Sequence, residues 1–328
     1  MTLIYPLTSP RAQRELELAA DVTVAASDSE ADIVEAIHDA EGIIIRGPAR
    51  LTGTLMDAAP NLRVIASSGS GADSIDIEAA TKRGILVTNN AGTAPGAVTE
   101  YVLSAAGIAR RQFPAESAKM FSGQYSGHDW DSRVRNVATQ GVIGAAFGII
   151  GFGHIGRDVA RRAKAAFDAE IVVYDPVIAE RSDDVSWASS VLELCERSDI
   201  VSVHVPLLDS TRGLISRREL DAIGPDGALI DAARGNIVVF EDLIAALREG
   251  TLGSAVIDVF DVEPPTEEML NAIRDTPHLF ATPHIAGASE DSMYRLASGA
   301  GRTVLDVLGG TLPPNALNAQ VWPSGSGR

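Results

Sequence analysis

Cysteine, lysine and aromatic side chains are scarce in this chain of 328 residues. Cys195 is the single cysteine, which excludes an intrachain disulfide and is typical of proteins kept in a reducing cytosol. The only lysines are Lys82, Lys119 and Lys164, against 44 acidic residues, and the formal net charge is −17. Because so acidic a surface repels phosphate groups, the composition argues against general binding of nucleic acid or of anionic membranes.

Long uncharged hydrophobic runs are also lacking. No apolar stretch of about 18 residues is free of charge, so we expect no transmembrane helix. The opening stretch MTLIYPLTSPRAQRE has no basic segment followed by an apolar one, so we expect no signal peptide. The sequence predicts a cytoplasmic protein, and its 45% hydrophobic content is enough for one large domain or two moderate ones.

Short apolar runs alternate with amphipathic runs along most of the chain. In the first third, 42–46 and 63–67 read as buried strands, and a helical pattern over 75–84 precedes a further strand. The later pattern predicts strands within 147–151, 170–175, 199–207, 227–234 and 254–260, and helices over 154–167 and 240–250. Such alternation predicts doubly wound α/β domains, in which a parallel sheet carries helices on both faces.

The stretch GIIGFGHIGRDVA carries the pattern G-x-G-x-x-G at Gly151, Gly153 and Gly156. A predicted strand ends at this pattern, a predicted helix starts in it, and Asp175 closes the next strand. The glycines allow a tight turn and a close approach to a pyrophosphate, and the helix N-terminus supplies unpaired N–H groups. Asp175 can accept hydrogen bonds from ribose hydroxyls and repels a 2′-phosphate, so the stretch predicts NAD rather than NADP.

Further polar residues accompany strand-like runs. Arg234 follows one strand, Asp258 lies within the next predicted strand, Glu263 lies in the loop beyond it, and His284 follows the run HLFA. Because ligands bind at the carboxyl ends of strands in open α/β sheets, we expect these residues to converge beside the nicotinamide. The alternatives are a surface arginine, a solvated loop acid and a helix-capping aspartate.

The conjunction of motifs resembles the D-isomer-specific 2-hydroxyacid dehydrogenase family, and within it the D-3-phosphoglycerate dehydrogenase branch. The resemblance covers nearly the whole chain and rests on SSGSGADSIDIEAATKRGI, GIIGFGHIG with YDP, HVPLLDSTRGLI, DAARG, DVFDVEPP and TPHIAGAS. It implies two Rossmann-like or flavodoxin-like domains with a cleft between them. The expected substrate-binding domain is 1–98 with 292–328, and the expected NAD-binding domain is 99–291.

The resemblance also implies roles for individual residues. Arg234 is expected to orient the substrate, His284 to act as acid and base, and Glu263 to partner the imidazole. The expected cofactor contacts are Gly151, Gly153, His154, Ile155, Gly156, Asp175, His204, Val205, Pro206, Ala232, Ala233, Arg234, Asp258, His284 and Gly287. The expected substrate contacts are Arg46, Ser68, Gly69, Ser70, Gly71, Arg234 and His284. His204 has a second interpretation as a satisfied core histidine, and the histidines and cysteine have no metal-ligand spacing, so we predict no metal.

The expected reaction is an NAD-dependent interconversion of a small D-2-hydroxy acid and its 2-oxo acid. Phosphoglycerate, glycerate with hydroxypyruvate, glyoxylate and sulfolactate types are the candidate substrates. Ser67 stands where many phosphoglycerate dehydrogenases carry an arginine, while Arg46 could hold an anionic tail. The alternatives are an NAD-binding corepressor-like scaffold and a phosphite-type dehydrogenase. The family resemblance implies a homodimer through the NAD domain, involving 98–112 and an extension over 121–138.

Overall fold

A computed structural model describes residues 1–47, 49–124 and 139–323. The chain divides into two compact units, one formed by Met1–Ala94 with Ala288–Arg328 and the other by Pro95–Gly287. The segment 125–138, which holds the greater part of the expected dimer extension, lies outside the described residues, as does the tail 324–328. Among the described residues, no helix has the length and apolar character needed to cross a membrane.

The first unit is built on a five-stranded parallel sheet in the order β2-β1-β3-β4-β5. Its strands are β1 Thr2–Ile4, β2 Thr23–Val24, β3 Gly42–Ile45, β4 Val64–Ser67 and β5 Leu86–Thr88. Its helices are α1 Pro10–Ala19, α2 Glu30–Ile37, α3 Gly53–Asp57, α4 Ile77–Lys82 and, from the end of the chain, the helix Glu290–Leu308.

Helices cover both faces of this sheet, as the alternation of side chains along β3 shows. Ile43 and Ile45 pack with apolar residues of α2, α3 and α4. Ile44 points the other way and packs with α1 and the helix Glu290–Leu308. Successive strand residues face opposite sides, so a strand buried on both sides reads as a continuous apolar run.

The second unit holds a seven-stranded parallel sheet, which begins with β6 Ala146–Ile150, β7 Glu170–Tyr174 and β8 Ser186–Trp187. Its other strands are β9 Ile200–Val203, β10 Ala228–Asp231, β11 Ser254–Ile257 and β12 Leu279–Ala281. The order is β12-β11-β10-β9-β6-β7-β8, so the direction of winding reverses between β6 and β9. Such a reversal opens a crevice at the carboxyl ends of the strands, where ligands of this fold class bind.

Two helical layers enclose the second sheet. One layer comprises α5 Pro95–Arg111 and α7 His154–Phe167, which contribute to one buried cluster; α6 Phe113–Phe121 lies between them in the chain and buries none of its side chains. The other comprises α8 Val191–Glu196, α9 Arg217–Ile223 and α10 Phe240–Glu249, with α11 Glu267–Arg274 at its margin. The helix Glu290–Leu308 of the first unit is α12. The buried positions of α7 are Gly156, Val159, Ala160 and Ala163, a spacing that places small side chains on one face.

The free edge of β5 is closed by the C-terminal segment rather than by another strand. Asn318, 1% exposed, accepts a hydrogen bond from Val87 N at 2.7 Å. Its amide nitrogen donates to Thr81 Oγ1 and Ile85 O, both at 2.9 Å. One amide side chain thus satisfies two buried backbone groups, Val87 N and Ile85 O, that would otherwise be unpaired.

We expect Asn318→Ala to lower the free energy of unfolding by about 2–4 kcal/mol, because buried partners lose their hydrogen bonds. Denaturant unfolding of the variant measures the change. Asn61→Ala is the matched control, since Asn61 is exposed, and its effect should stay within about 0.5 kcal/mol. Equal stabilities of the two variants would show that the edge contact contributes nothing.

Candidate active site

The glycine turn between β6 and α7 depends on the absence of side chains. Gly151 has φ +93°, and a Cβ there would lie 2.8 Å from the carbonyl carbon of His204. A Cβ on Gly156 would lie 2.1 Å from Gly151 O, whereas one on Gly153 would meet nothing within 4 Å. The turn is therefore closed towards the protein and open at Gly153, which is the shape needed for a phosphate to approach the backbone.

The N-terminus of α7 is open to an anion. Its N-cap residue is Gly153, which has no side chain to cap the helix. The first N–H groups of a helix have no partner inside it, and those of His154, Ile155 and Gly156 donate to no described residue. Because these N–H groups carry the positive end of the helix dipole, they fit a pyrophosphate.

Asp175 follows β7 and ties the glycine turn to that strand. Its Oδ2 accepts from Phe152 N at 2.8 Å, and its Oδ1 accepts from Val177 N at 2.9 Å. A carboxylate has about four acceptor positions, so these two bonds leave capacity for ribose hydroxyls. The carboxylate is half-buried at the end of its strand, as the sequence predicts.

His204 lies one residue past the end of β9, not inside the strand as predicted, and is half-buried. Its Nε2 lies 2.9 Å from Ser202 Oγ, and its backbone N donates to Ile150 O at 2.7 Å. Burial lowers the pKa of the imidazole to about 4, so the ring is neutral at neutral pH. His204 is a hydrogen-bonded group beside Gly151, and Val205 and Pro206 follow it in the chain. The expected cofactor contacts of these three residues stay predictions.

Arg234 is carried by a tight turn after β10. Ala233 N donates to Asp231 Oδ1 at 3.0 Å, and Arg234 Nη1 donates to Ala233 O at 2.7 Å. A Cβ on Gly235 would lie 1.9 Å from Phe260 O, so only glycine allows this approach of two backbones. Ala232, Ala233 and Arg234 are all half-buried.

The other side of the Arg234 turn is fastened to the loop after β11. Asn236, with φ +62°, donates from its backbone N to Asp261 Oδ1 at 2.7 Å and from its side chain to Asp261 O at 3.2 Å. The two loops are thus joined by side chains as well as by the sheet beneath them.

Asp231 lies below this turn and is 3% exposed. Burial raises the pKa of its carboxyl to about 7, and the charges of Asp261 and Asp258 act in the same direction. The Ala233 N–H and the Arg234 guanidinium oppose the rise. Asp231 therefore changes its protonation near neutral pH, although the sequence singled it out only as part of DAARG.

His284 and Glu263 form a dyad at the ends of β12 and β11. His284 Nδ1 lies 2.7 Å from Glu263 Oε2, and Phe260 N donates to Glu263 Oε1 at 3.2 Å. The side chains are 47% and 38% exposed. With Nδ1 donating to the carboxylate, Nε2 is the ring nitrogen left to exchange a proton with a ligand.

Asp258 lies one residue past the end of β11, so its predicted place within that strand is wrong. The carboxylate is 0% exposed and accepts from Thr282 Oγ1, from Ile285 N at 2.9 Å and from Ala286 N at 2.7 Å. These donors all belong to the loop that carries His284. The expected contact of Asp258 with the nicotinamide stays a prediction.

In the first unit, the turn after β4 has its carbonyl oxygens turned inward. The oxygens of Ser68, Gly69, Ser70 and Gly71 accept from Asn90 Nδ2, Asn90 N, Asn89 Nδ2 and Ser67 Oγ at 3.0, 2.9, 2.8 and 2.6 Å. The N–H groups of Ser70 and Gly71, by contrast, donate to no described residue. The turn therefore presents donors, which is the arrangement that binds a carboxylate.

Arg46 is half-buried at the carboxyl end of β3, beside the end of β1. Its Nε donates to Pro6 O at 2.9 Å, and its guanidinium carbon lies 5.7 Å from the centre of the Tyr5 ring. Tyr5 has φ +77°, a backbone conformation that is rare for a bulky residue and often accompanies function. Among the described residues, no cluster of acids, histidines or cysteine could hold a metal ion.

Comparisons with known proteins identify the family of the chain. Residues 109–286 match the family model described as D-isomer specific 2-hydroxyacid dehydrogenase, NAD binding domain. The glyoxylate reductase of Thermofilum pendens is 34% identical over 302 residues, which cover 89% of this chain and 86% of that protein. The chain belongs to the D-isomer specific 2-hydroxyacid dehydrogenase family.

Other family members differ in length and in the reaction for which they are named. The D-3-phosphoglycerate dehydrogenase of Methanocaldococcus jannaschii is 32% identical over 92% of this chain, but the match spans only 56% of that protein. A solved glyoxylate/hydroxypyruvate reductase of Sinorhizobium meliloti, described as NADPH-dependent and bound to NADP and malonate, is 26% identical. Its TM-score is 0.84, and the match covers 99% of this chain and 98% of that chain.

Family membership makes the protein an oxidoreductase whose second unit contains an NAD binding domain. Five groups in this dehydrogenase were not singled out from the sequence: Tyr101, Thr282, Asp231, Asn89 and Asn90. All five form hydrogen bonds to loops of the site, and none belongs to a sequence motif that predicts such a bond. Only the buried polar character of Asp231, within an apolar run, could have drawn attention to it.

The stability of this dehydrogenase should depend on pH through Asp231. Its pKa is higher in the folded protein than in the unfolded chain, so between about pH 4 and 7 the folded state holds more protons, and stability falls as pH rises. Asp231→Asn removes this ionisation and keeps an acceptor for Ala233 N. We expect the variant to be more stable than the wild type at pH 8, by up to about 4 kcal/mol.

Denaturant midpoints at pH 4, 6 and 8 test this expectation. The advantage of Asp231→Asn should shrink towards zero at pH 4. A constant difference across the series would mean that Asp231 does not titrate in the folded protein.

Proposed function

We propose that the protein interconverts a small D-2-hydroxy acid and its 2-oxo acid with NAD as cofactor. The observation that carries the proposal is the contact of 2.7 Å between His284 Nδ1 and Glu263 Oε2 in the unit that also holds the glycine turn. That contact orients an imidazole at strand ends, where this fold class binds its ligands.

The residues around the glycine turn fit a dinucleotide. Gly153 leaves open space above the backbone, the N–H groups of His154 and Ile155 face no described acceptor, and Asp175 has acceptor capacity. We therefore assign the pyrophosphate to the N-terminus of α7 and the adenosine ribose to Asp175. The cofactor supplies the hydride chemistry, and the protein contributes binding, orientation and proton transfer.

His284 is assigned the proton transfer. For reduction of a 2-oxo acid, the protonated ring gives its Nε2 proton to the carbonyl oxygen, which becomes the hydroxyl of the product. For oxidation, the neutral ring takes the hydroxyl proton. Glu263 accepts from Nδ1 and stabilises the charged imidazolium that forms.

Arg234 is assigned the orientation of the substrate, because its planar guanidinium can donate two parallel hydrogen bonds to a carboxylate or to a carboxylate and its neighbouring carbonyl. In the first unit, the N–H groups of Ser70 and Gly71, which donate to no described residue, support a role in binding the substrate carboxylate. Ser68 and Gly69 shape that turn with their carbonyls fixed inward.

The reactions for which family members are named and two residues of the first unit support the proposed substrate class. We infer a glyoxylate-, hydroxypyruvate-, sulfolactate- or phosphoglycerate-type acid. Ser67 forms part of the turn itself, through bonds with Gly71 O and Gly69 N, and offers no cation to a phosphate. Arg46 is the group that we assign to an anionic tail.

A homodimer through the second unit is part of the proposal. Helix α6 buries none of its side chains, and Phe113, Met120 and Phe121 are 53%, 57% and 89% exposed. Apolar side chains grouped on one short helix favour a protein partner, and a second copy of the chain is the partner that we propose.

His284→Ala should lower kcat for 2-oxo acid reduction by at least about 100-fold, because the proton donor is lost. The affinity for NADH should stay within about twofold of the wild type. NADH oxidation over a panel of 2-oxo acids and an NADH titration measure the two quantities. His38→Ala, at an exposed histidine of the first unit, is the control and should turn over normally.

If the wild type binds NADH and reduces no member of the panel, the enzyme proposal fails and an NAD-binding scaffold is favoured. If His284→Ala reduces the acids at the wild-type rate, His284 has no part in the proton transfer.

Arg46→Gln should lower kcat/KM about tenfold for 2-oxo acids with an anionic tail, because a charged hydrogen bond is lost. Rates with glyoxylate and hydroxypyruvate should change less than about twofold. Arg50→Gln, at an exposed arginine of the same unit, is the matched control. Equal effects on both classes of acid would remove Arg46 from tail recognition.

A further inference from the structure

A chain of hydrogen bonds runs from helix α5 to the loop that carries His284. Tyr101 OH lies 2.6 Å from Thr282 Oγ1, and Thr282 Oγ1 donates to Asp258 Oδ1. A carboxylate only accepts, so the hydroxyl hydrogen of Thr282 is committed to Asp258. Thr282 can then only accept from Tyr101, which fixes the phenol as the donor.

The Tyr101 phenol is suited to be the hydrogen-bond donor to Thr282. Tyr101 is half-buried, and burial raises its pKa to about 12, so the phenol keeps its proton at neutral pH. Thr282 in turn ties the end of β12 to the end of β11, since its hydroxyl donates to Asp258 and its backbone N donates to Ile257 O at 3.0 Å.

The residues 282–287, called here the His284 loop, are wrapped around Asp258. Ile285 N and Ala286 N donate to the carboxylate, and His284 N donates to Asp258 O at 2.8 Å. His284 itself has φ +53°, a left-handed conformation that costs about 1–2 kcal/mol for a residue other than glycine. The loop keeps this conformation because Asp258 holds the residues on both sides of His284.

We propose that Tyr101 and Thr282 are positioning residues that act through Asp258 to hold the His284 loop in the geometry that presents the imidazole to Glu263. The role in turnover rests on the proposed function, while the effect on the loop can be measured without it. Neither hydroxyl needs to touch a substrate or cofactor for this role.

Thr282 offers a direct comparison, because serine keeps the hydroxyl and valine keeps the shape. We expect Thr282→Val to lower kcat about tenfold, and Tyr101→Phe about threefold, with NADH affinity unchanged within about twofold. Thr282→Ser should recover activity to within about twofold of the wild type. Thr276→Val, which removes a buried hydroxyl bonded to Ala272 O at 2.6 Å in the same unit, is the matched control and should leave kcat unchanged.

Hydrogen exchange of the peptide that covers the His284 loop is measured alongside turnover. Thr282→Val should speed exchange at Ile285 and Ala286, and Thr282→Ser should not. If the wild type shows no turnover, the proposed function fails and the exchange data alone decide this inference. The inference is overturned by wild-type kcat and exchange in Thr282→Val, by equal damage in the serine and valine variants, or by a loss confined to NADH affinity.

Discussion

The buried carboxylate of Asp258 is the interaction on which the second unit's site depends. A charge with no exposure to water is costly unless hydrogen bonds replace its hydration. Here the donors are Thr282 Oγ1, Ile285 N and Ala286 N, so the loop around His284 takes the place of water. The same hydrogen bonds therefore stabilise the buried carboxylate and fix the shape of the loop. The loop in turn holds the His284 imidazole beside Glu263.

The parallel sheet brings the three loops of the site together. Asp231 pairs with Ile257, and Ile257 pairs with Ala281, so β10, β11 and β12 end level with one another. The loops that follow must then pack side by side, which explains the bonds between the Arg234 turn and Asp261 and between Glu263 and His284. The same crowding places acids close to one another and contributes to the raised pKa of Asp231.

Sequence patterns predicted the parts of the molecule that are locally encoded. The helix over 154–167 is confirmed, and the glycine pattern at its start specifies it. The strands within the apolar runs are confirmed as well, since a strand buried on both faces is continuously apolar. Strands β2 and β8 have only two residues each, too few to give a periodic signal. Tyr101 and Thr282 are 181 residues apart in the chain, and no local sequence pattern predicts a hydrogen bond between two such distant hydroxyls.

The two units fix the conformation of a loop with buried groups of opposite hydrogen-bonding character, an acceptor in the second unit and a donor in the first. In the second unit a buried acceptor, Asp258, draws N–H groups inward, so the loop directs a side chain outward at the price of left-handed backbone at His284. In the first unit a buried donor, the Asn90 amide, holds the carbonyl oxygen of Ser68, and the Asn89 amide holds that of Ser70. The N–H groups of Ser70 and Gly71 in that turn donate to no described residue. A glycine could relax the strain at His284 but has no imidazole, whereas the turn needs only its backbone and can be built from serine and glycine.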